Sequence, residues 1–398
     1  MTTDPAVEIR ADTRLRGSVV LLLALAAALG TSTIYPLQPA IGDVADSLEL
    51  QITVVGLALA CGPIGYMAGL GLLVPLVDRF APGRVIGTQF AVLAVALALG
   101  AAVGDRWQLA LTTAVIGACS TVGASLSSVA GRLAPPRRRA KTLGVVTAGI
   151  SVGILAGRIF GGWLADEIGW RGTLLTFAVA CALIAGCCLV ILPAGQGAGQ
   201  QRGYLATLRS LPGLLVRHAT LRIAAIAGAL WFFAFCATWA GLAVALSEPP
   251  FSYSSERIGL YALAGLSGIL ATQVAGAWTD RVGARRVIMI GLSTAAASLV
   301  VAGFALTDLF VTLVCLALFD AGLFAAQVAN QSTVLAIDPA APARFNSAYM
   351  LVYFVGGSLG TAFGAASVGW FGWPTTAAIT AATIGAAAAI IFRFTQRL

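Results

Sequence analysis

The chain is dominated by apolar runs that are about as long as the 20 residues a helix needs to cross the hydrocarbon core of a bilayer. Hydrocarbon offers no hydrogen-bond partner to backbone groups, so a crossing segment must be a helix or part of a closed barrel. Barrel strands alternate in polarity, whereas these runs do not. The sequence therefore predicts an all-α integral membrane protein with twelve transmembrane helices. The predicted spans are 17–40, 52–74, 83–103, 108–131, 142–164, 172–192, 221–246, 258–278, 285–305, 309–336, 344–367 and 373–393.

The composition fits a membrane protein and contains few of the residues and motifs that an enzyme uses for catalysis. Hydrophobic residues make up 59% of the chain and charged residues 10%, against roughly 45–50% and about 25% in soluble domains. The sequence has one histidine, His218, and no Gly-x-x-x-x-Gly-Lys-Ser/Thr phosphate loop. Its seven cysteines all fall within predicted spans and show no zinc-ligand spacing. We therefore expect neither catalysis nor a cofactor or bound metal ion.

The sequence repeats itself at an offset close to half its length. Segment 78–84 (DRFAPGR) returns 202 positions later as segment 280–286 (DRVGARR), in both cases after a long apolar run. A set of glycines spaced by four residues recurs at an offset of 203: Gly153, Gly157 and Gly161 correspond to Gly356, Gly360 and Gly364. Two related halves in a membrane chain predict two pseudo-symmetric six-helix bundles, which rock about a site between them in a transporter.

Basic residues predict how the chain is oriented, because they are retained on the cytoplasmic side of short loops. With the N terminus inside, the inside segments hold twenty arginine and lysine residues, whereas the outside loops hold only Arg106, Arg171 and Arg257. Both termini are therefore expected in the cytoplasm, and the protein in the cytoplasmic (inner) membrane. The basic residues are dispersed, so the net charge of +8 does not indicate a nucleic-acid partner.

The chain divides into four predicted regions. Residues 1–16 form a cytoplasmic tail, 17–195 the N-terminal bundle, 196–220 a cytoplasmic linker, and 221–398 the C-terminal bundle. The boundary rests on the Pro-, Gly- and Gln-rich stretch 193–203, which has the composition of a linker. A monomer is expected.

The repeated loop resembles a motif of the major facilitator superfamily, Gly-x-x-x-Asp-Arg-x-Gly-x-Arg-Arg, and the resemblance extends over the whole chain. The second copy is complete and the first is degraded, with Val74 and Ala81 in place of glycines. The matching residues are Gly276, Asp280, Arg281, Gly283, Arg285 and Arg286 in the second copy and Asp78, Arg79 and Arg84 in the first. The resemblance implies the major facilitator fold and a loop that gates access. The alternative is simple anchoring of basic residues on the inner side.

A glycine pattern in the predicted helix 142–164 resembles the antiporter signature of drug and sugar efflux permeases within that superfamily. Its residues are Gly144, Gly153, Gly157, Gly161 and Gly162, and Arg158 stands where those relatives have proline. The resemblance implies a secondary transporter that exports a small organic compound against proton entry by alternating access. The alternatives are a proton-coupled uptake symporter and, with less support, a receptor or scaffold that transports nothing.

Two ionisable residues fall deep inside predicted spans, Arg158 and Asp320. Intramembrane charges are costly and usually functional. Desolvation favours the protonated form of a carboxylate and a nearby cation favours the ionised form, so Asp320 is the candidate proton site. Arg158 is the candidate that tunes it or holds an anionic part of the substrate. The alternative is a purely structural ion pair or hydrogen-bonded charge. Direct contact between the two is not expected, because they lie on different bundles at different estimated depths.

The resemblance further implies a central cavity lined mainly by helices 1, 4, 7 and 10. The candidate lining residues are Thr31, Tyr35, Gln38, Trp231, Phe235, Trp239, Gln327, Asn330, Gln331, Asn346, Tyr349 and Tyr353. An apolar, aromatic cavity with a few polar groups suits an amphipathic organic solute. Aromatic residues at span ends can instead lie at the lipid boundary, and hydroxyl groups can bond to their own helix. The expected partners are therefore a small-molecule substrate, protons and the lipid bilayer.

Overall fold

A computed structural model describes residues 17–134, 139–192, 204–338 and 342–394. The predicted tail 1–16 and the linker residues 196–203 lie outside the described residues. The described part of the chain is helical, without strands. Its helices are α1 (Gly17–Ser32), α2 (Ile41–Ser47), α3 (Ile52–Leu59), α4 (Cys61–Leu72), α5 (Leu76–Arg79), α6 (Pro82–Ala101), α7 (Arg106–Ser120), α8 (Val122–Leu133), α9 (Arg139–Ile191), α10 (Tyr204–Arg217), α11 (Ala219–Ser247), α12 (Ser255–Leu260), α13 (Leu266–Val282), α14 (Ala284–Ala302), α15 (Leu309–Leu335) and α16 (Pro342–Phe394), with a 3-10 helix at Tyr261–Gly265.

Nine helical segments within the described residues are long and apolar enough to cross a membrane. Two of them, Thr142–Ile191 and Arg344–Arg393, contain 50 residues each, about twice the length that a bilayer core needs. Helix α1 is a shorter apolar helix, and the predicted span 17–40 continues beyond it as turns over residues 33–40. The all-helical membrane fold is thus confirmed.

Each of the two long helices is broken at one glycine. Gly169 in α9 has φ 76° and ψ 160°, and Gly372 in α16 has φ 75° and ψ 166°. Residues with a side chain rarely adopt this backbone conformation. The predicted spans leave connecting segments 165–171 and 368–372 at these two points, whereas the chain turns there within one or two residues. The breaks lie 203 positions apart, so the sequence repeat is also a structural repeat. The side of the molecule that carries these breaks is called the outer side below.

The repeated glycines pack in the same way in the two halves. A Cβ atom at Gly153 or Gly157 of α9 would overlap the backbone of α1, at Ala28 or Ser32. A Cβ atom at Gly356 or Gly360 of α16 would likewise overlap the backbone of α11. Such close approach is what small residues provide in lipid, where apolar area alone does not drive helices together. Helix α9 is therefore held against α1 as α16 is held against α11.

The predicted linker 196–220 is not loop throughout, because α10 forms within it. Leu211 of α10 is buried with Leu221, Val334, Phe345 and Tyr349, which belong to α11, α15 and α16. Periodic apolar residues at 205, 208, 211 and 215 explain the helix. The end of the linker thus packs as part of the C-terminal half.

Candidate functional site

A cavity of about 380 Å³ lies between the two halves. The N-terminal half contributes residues of α1, the turns that follow it, α2, α3, α4, α8 and α9, and the C-terminal half contributes residues of α11, α15 and α16. The cavity extends from Gly56 and Ala365 at its outer end to Leu70 and Asn346 at the opposite end. This volume is within the range of sites that bind small molecules.

Eight of the twelve residues predicted to line the cavity do so. They are Thr31, Tyr35, Gln38, Trp231, Phe235, Gln327, Asn346 and Tyr353. The other four, Trp239, Asn330, Gln331 and Tyr349, lie outside its wall.

Hydrogen bonding explains where three of those four residues lie. The Asn330 side chain is buried and donates to the Ala224 carbonyl at 3.0 Å and to Tyr349 Oη at 3.3 Å. Tyr349 Oη donates in turn to Gln327 Oε1 at 2.6 Å. Gln331 donates to Asn346 Oδ1 at 2.8 Å. These residues orient the amide groups of Gln327 and Asn346, which line the cavity, and thus support its wall from behind.

Two aromatic residues that were not predicted from the sequence, Tyr66 and Phe354, also line the cavity. Their ring centroids are 4.7 Å apart, and they join α4 of one half to α16 of the other. Phe232 stacks on Tyr353 at 4.0 Å in the same wall. In the sequence they are aromatic residues within apolar runs, and such a run does not reveal on which face of the helix a residue lies.

Arg158 lies at the outer part of the cavity, in a hydrogen bond that ties α9 to the turns after α1. Its Nε donates to Gln38 Oε1 at 2.7 Å. Its guanidinium carbon lies 4.5 Å from the ring centroid of Trp239, 4.8 Å from that of Tyr35 and 5.7 Å from that of Phe235. Cations are attracted to aromatic faces at such distances. Among the described residues no carboxylate lies within ion-pair distance of it, so rings and an amide stabilise this buried charge.

Asp320 of α15 is buried, with an exposed fraction of 2%. Trp239 Nε1 donates to its Oδ1 at 3.3 Å. A Cβ atom at Gly265 would lie 3.1 Å from its Oδ2, so the absence of a side chain there leaves room for the carboxylate. A small cavity of about 10 Å³ is lined by both Asp320 and Arg158, and this is about the volume that admits a single water molecule.

Trp239 therefore connects the two intramembrane charges. Its ring faces Arg158 of the N-terminal half and its N–H group bonds to Asp320 of the C-terminal half. Both side chains reach the same tryptophan, so the different depths estimated from the sequence do not keep the two charges apart. Because the charges belong to different halves, a change in the charge of Asp320 can alter how strongly the halves hold together here.

Hydrogen bonds between the halves close the outer end. Ser255 Oγ lies 2.7 Å from Asp43 Oδ2 and 3.1 Å from the Pro39 carbonyl oxygen. The backbone N–H of Glu256 donates to Asp166 Oδ2 at 3.1 Å. Two carboxylates of the N-terminal half thus meet the first turn of α12, where free N–H groups favour negative charge. We call these contacts the outer latch.

Replacing Ser255 with alanine should weaken the outer latch, because the Asp43 carboxylate then loses its hydroxyl donor. We expect the amides of α12 to exchange with deuterium roughly fivefold faster or more, as the loss of one such bond implies. Hydrogen–deuterium exchange with mass spectrometry measures this. Ser267→Ala is the matched control, since Ser267 donates to carbonyl oxygens of its own half, those of Ala264 and Ala317. Unchanged exchange in α12 and α2 of the Ser255 variant would contradict the assignment.

The predicted gating loops are anchored at the opposite side of the molecule. Gly283 has φ 88° between α13 and α14, and Arg285 donates to the Phe392 carbonyl at 3.2 Å. Asp280, Arg281 and Arg286 are exposed, as are Arg79 and Arg84 of the first copy, and a Cβ atom at Gly276 would meet nothing within 4 Å. The side chain of Asp78 lies outside the described residues. Gating by these loops stays a prediction.

The glycines predicted as an antiporter motif differ in what they contact. Gly153, Gly157 and Gly161 face the backbone of α1 and of the turn after it, whereas a Cβ atom at Gly144 would meet nothing within 4 Å. A Cβ atom at Gly162 would overlap the Ser255 backbone of α12, across the two halves. The motif therefore positions Arg158 between α1 and the C-terminal half.

The comparison with family models agrees with this architecture, since residues 20–247 match the model described as the Major Facilitator Superfamily. The chain belongs to the Major Facilitator Superfamily. As a member of the Major Facilitator Superfamily with this cavity, it is a secondary transporter rather than an enzyme.

Relatives by sequence in the Major Facilitator Superfamily are named as transporters. The chain is 30% identical over 361 residues to an uncharacterized transporter of Escherichia coli O157:H7, an alignment that covers 89% of this chain and 90% of the relative. It is 28% identical over 256 residues to an MFS-type efflux pump of Mycolicibacterium smegmatis, which covers 60% of this chain and 56% of that protein.

A solved structure has a similar fold. It is a bacterial homolog to the human lysosomal transporter Spinster in an inward-facing and occupied conformation, with a TM-score of 0.79 and 15% sequence identity. The match covers 96% of this chain and 97% of the solved one. At this identity the likeness extends to the fold alone.

Proposed function

We propose that this protein exports a small organic compound from the cytoplasm in exchange for protons, as a monomer with twelve spans in the cytoplasmic membrane. The observation that carries the proposal is the cavity between the two halves, at whose outer part a buried carboxylate of one half reaches a buried cation of the other through Trp239. Each of the long helices α9 and α16 supplies two of the twelve spans, one on either side of its glycine break.

Alternating access is supported by where the halves touch. The outer latch and the close contacts of Gly56 with Ala365 and of Gly162 with Ser255 lie at the outer side. The cavity continues away from them toward Leu70 and Asn346. This arrangement corresponds to a state that is closed outside and accessible from the cytoplasm. Rocking of the halves would break the outer contacts and expose the same cavity to the other side.

Proton coupling is assigned to Asp320. When ionised, its carboxylate accepts a charge-assisted hydrogen bond from Trp239 and attracts Arg158. When protonated, it loses that charge, and the contact between the halves at Trp239 weakens. A proton arriving from the outside would in this way change the relative stability of the two access states. The gating loops 78–84 and 280–286 are proposed to bias the same equilibrium from the cytoplasmic side.

Export is supported by two features. The glycine spacing in α9 resembles the antiporter signature of efflux permeases, and one relative is named as an MFS-type efflux pump. Positioning of α9 by these glycines against both α1 and α12 gives the motif a structural role in the movement between access states.

A second candidate, proton-coupled uptake, is favoured by one observation. Arg158 lines the cavity, and an anion bound to it would disfavour a second negative charge on Asp320. Anion and proton would then assist each other in binding, which is the sign of coupling that a symporter needs. An exporter of a neutral compound would show no such mutual assistance.

Flux in membrane vesicles of known orientation separates these functions. The test compound is the one whose accumulation changes most when the protein is expressed in a host that lacks its own exporters. An exporter should accumulate this compound in everted vesicles with an acidic interior, and a protonophore should abolish the accumulation. Accumulation in right-side-out vesicles with an acidic exterior would instead establish uptake. A receptor or scaffold would produce flux in neither, and that result would refute the proposal.

A further inference from the structure

We infer that the substrate is an organic anion, with a carboxylate or similar oxyanion bound by Arg158 and a flat apolar or aromatic body held between the rings of the cavity. The inference rests on the proposed transport cavity and concerns only what that cavity binds at equilibrium. If it is confirmed, it favours the uptake candidate over export, because an anion on Arg158 and a proton on Asp320 assist each other in binding.

The hydrogen bonding of Arg158 is incomplete. A guanidinium has five N–H donors in a planar fork, and within the described residues only Nε has an acceptor, Gln38 Oε1. The side chain is nevertheless 5% exposed, and its terminal nitrogens are not among the enclosed polar atoms that lack a partner. The unpaired Nη groups are therefore not fully enclosed by protein, and Arg158 borders the main cavity. A carboxylate can accept two parallel hydrogen bonds from such a fork.

The charge of the cavity wall has one sign. Arg158 is the only ionised side chain among the described residues that line the main cavity, and the other polar groups there are hydroxyls, amides, one thiol and an indole. Asp320 lines the small side cavity instead. A cationic ligand would meet an uncompensated positive charge, whereas an anion would pair with it. Pairing a buried charge offsets part of the cost of burying it.

Aromatic rings define where the rest of the ligand lies. Tyr35 and Phe235 flank the guanidinium, and the stacked rings of Phe232 and Tyr353 continue the wall. Flat aromatic bodies pack well against such rings. The amides of Gln327 and Asn346, held in place by Tyr349 and Gln331, offer hydrogen bonds at the other end of the cavity.

Equilibrium binding of three probes that share one body tests the inference. The probes are naphthaleneacetate, naphthaleneacetamide and naphthylethylamine, which carry a negative charge, no charge and a positive charge. Titration calorimetry on the purified protein in detergent measures each Kd at one neutral pH. We expect the carboxylate to bind about tenfold more tightly than the amide, since hydrogen bonds to charged groups contribute that much, and the amine to bind most weakly.

Arg158→Gln should abolish the preference for the carboxylate and leave the Kd of the amide unchanged within about threefold. Arg158→Lys should retain part of the preference, because it keeps the charge and loses the planar fork. Arg106→Gln is the matched control, since Arg106 is exposed at the outer side and lies over Trp107. It should bind all three probes as the unchanged protein does. If Arg158→Gln does not fold, the order of the three probes on the unchanged protein decides alone.

The inference is overturned if the amide or the amine binds as tightly as the carboxylate, if no probe binds, or if Arg158→Gln weakens all three equally. Binding requires neither flux nor a proton gradient, so its outcome is separate from that of the vesicle experiment. Proton-driven flux of a neutral compound without anion binding would refute the inference and leave the transport proposal standing. Anion binding without flux would support the inference and refute the transport proposal.

Discussion

Replacing Asp320 with asparagine should leave the protein able to exchange substrate across the membrane but unable to accumulate it with a proton gradient. Asparagine has nearly the shape of aspartate and can still accept the N–H group of Trp239, so the packing of α15 is retained. It cannot gain or lose a proton, so the alternation between charged and neutral forms at this point ends. We expect accumulation driven by a proton gradient to fall to the level of protein-free liposomes.

Two measurements on the same proteoliposomes separate coupling from transport. Counterflow, in which labelled and unlabelled substrate exchange without a gradient, should proceed in the Asp320→Asn variant, whereas accumulation driven by a pH difference should not. The substrate is the compound identified by the accumulation screen. Loss of both activities would indicate damage to the fold or to the cavity, and persistence of proton-driven accumulation would contradict the assignment of Asp320.

Asp308→Asn provides a matched control on the same helix. Asp308 is exposed and caps the start of α15 by accepting the backbone N–H of Val311 at 3.0 Å. Asparagine caps helices about as well as aspartate, so stability and both kinds of flux should be unchanged. A similar loss in both variants would mean that proton coupling depends on charge anywhere along α15 and not on the buried carboxylate.

The features that sequence predicted correctly are those imposed locally by the membrane. An apolar run that crosses hydrocarbon outside a closed barrel must be a helix. The fold class could therefore be predicted without knowledge of the tertiary contacts. Close helix packing at the repeated glycines 153, 157, 356 and 360 could also be predicted, because such packing in lipid requires small residues at a fixed spacing. Their equivalent contacts with α1 and α11 are the structural counterpart of the internal repeat.

The composition of the cavity wall was only partly predictable, since it depends on how each helix is rotated. Successive residues of a helix differ by 100° in direction. Trp231 therefore lines the cavity while Trp239, on the same helix, lies between Arg158 and Asp320. Tyr66 and Phe354 were missed for the same reason, as each is one aromatic residue among many in an apolar run. Packing of the whole protein sets these rotations.

The meeting of Arg158 and Asp320 at Trp239 shows why depth estimates from residue counts are too coarse. Arg158 is nine positions from Glu167 and Asp320 twelve from Asp308, a difference of about 4.5 Å along a helix axis at 1.5 Å per residue. An arginine side chain is longer than that. A tryptophan between the two groups spans more distance still, so apparently separate depths do not prevent interaction.

The second large effect is expected from adding a single methyl group where the helices touch. Gly153→Ala should destabilise the protein by about 1–3 kcal/mol, as overpacking generally does, because its Cβ atom would overlap the backbone of Ala28 and α9 would have to move away from α1. Gly356→Ala should have a similar effect in the second half, where the overlap is with the backbone of Ala229. The midpoint of thermal unfolding of the purified protein in detergent measures both.

Gly144→Ala is the matched control, because it makes the same chemical change in the same helix where a Cβ atom meets nothing within 4 Å. Alanine favours helix over glycine by about 1 kcal/mol, so this variant should be as stable as the unchanged protein or slightly more so. If all three variants lose equal stability, the loss does not come from overlap of the added Cβ atoms with the backbone of the neighbouring helix. A loss confined to Gly153 and Gly356 would mean that the paired helices α1–α9 and α11–α16 are each held together by direct backbone contact, which the rocking of two rigid halves about the cavity requires.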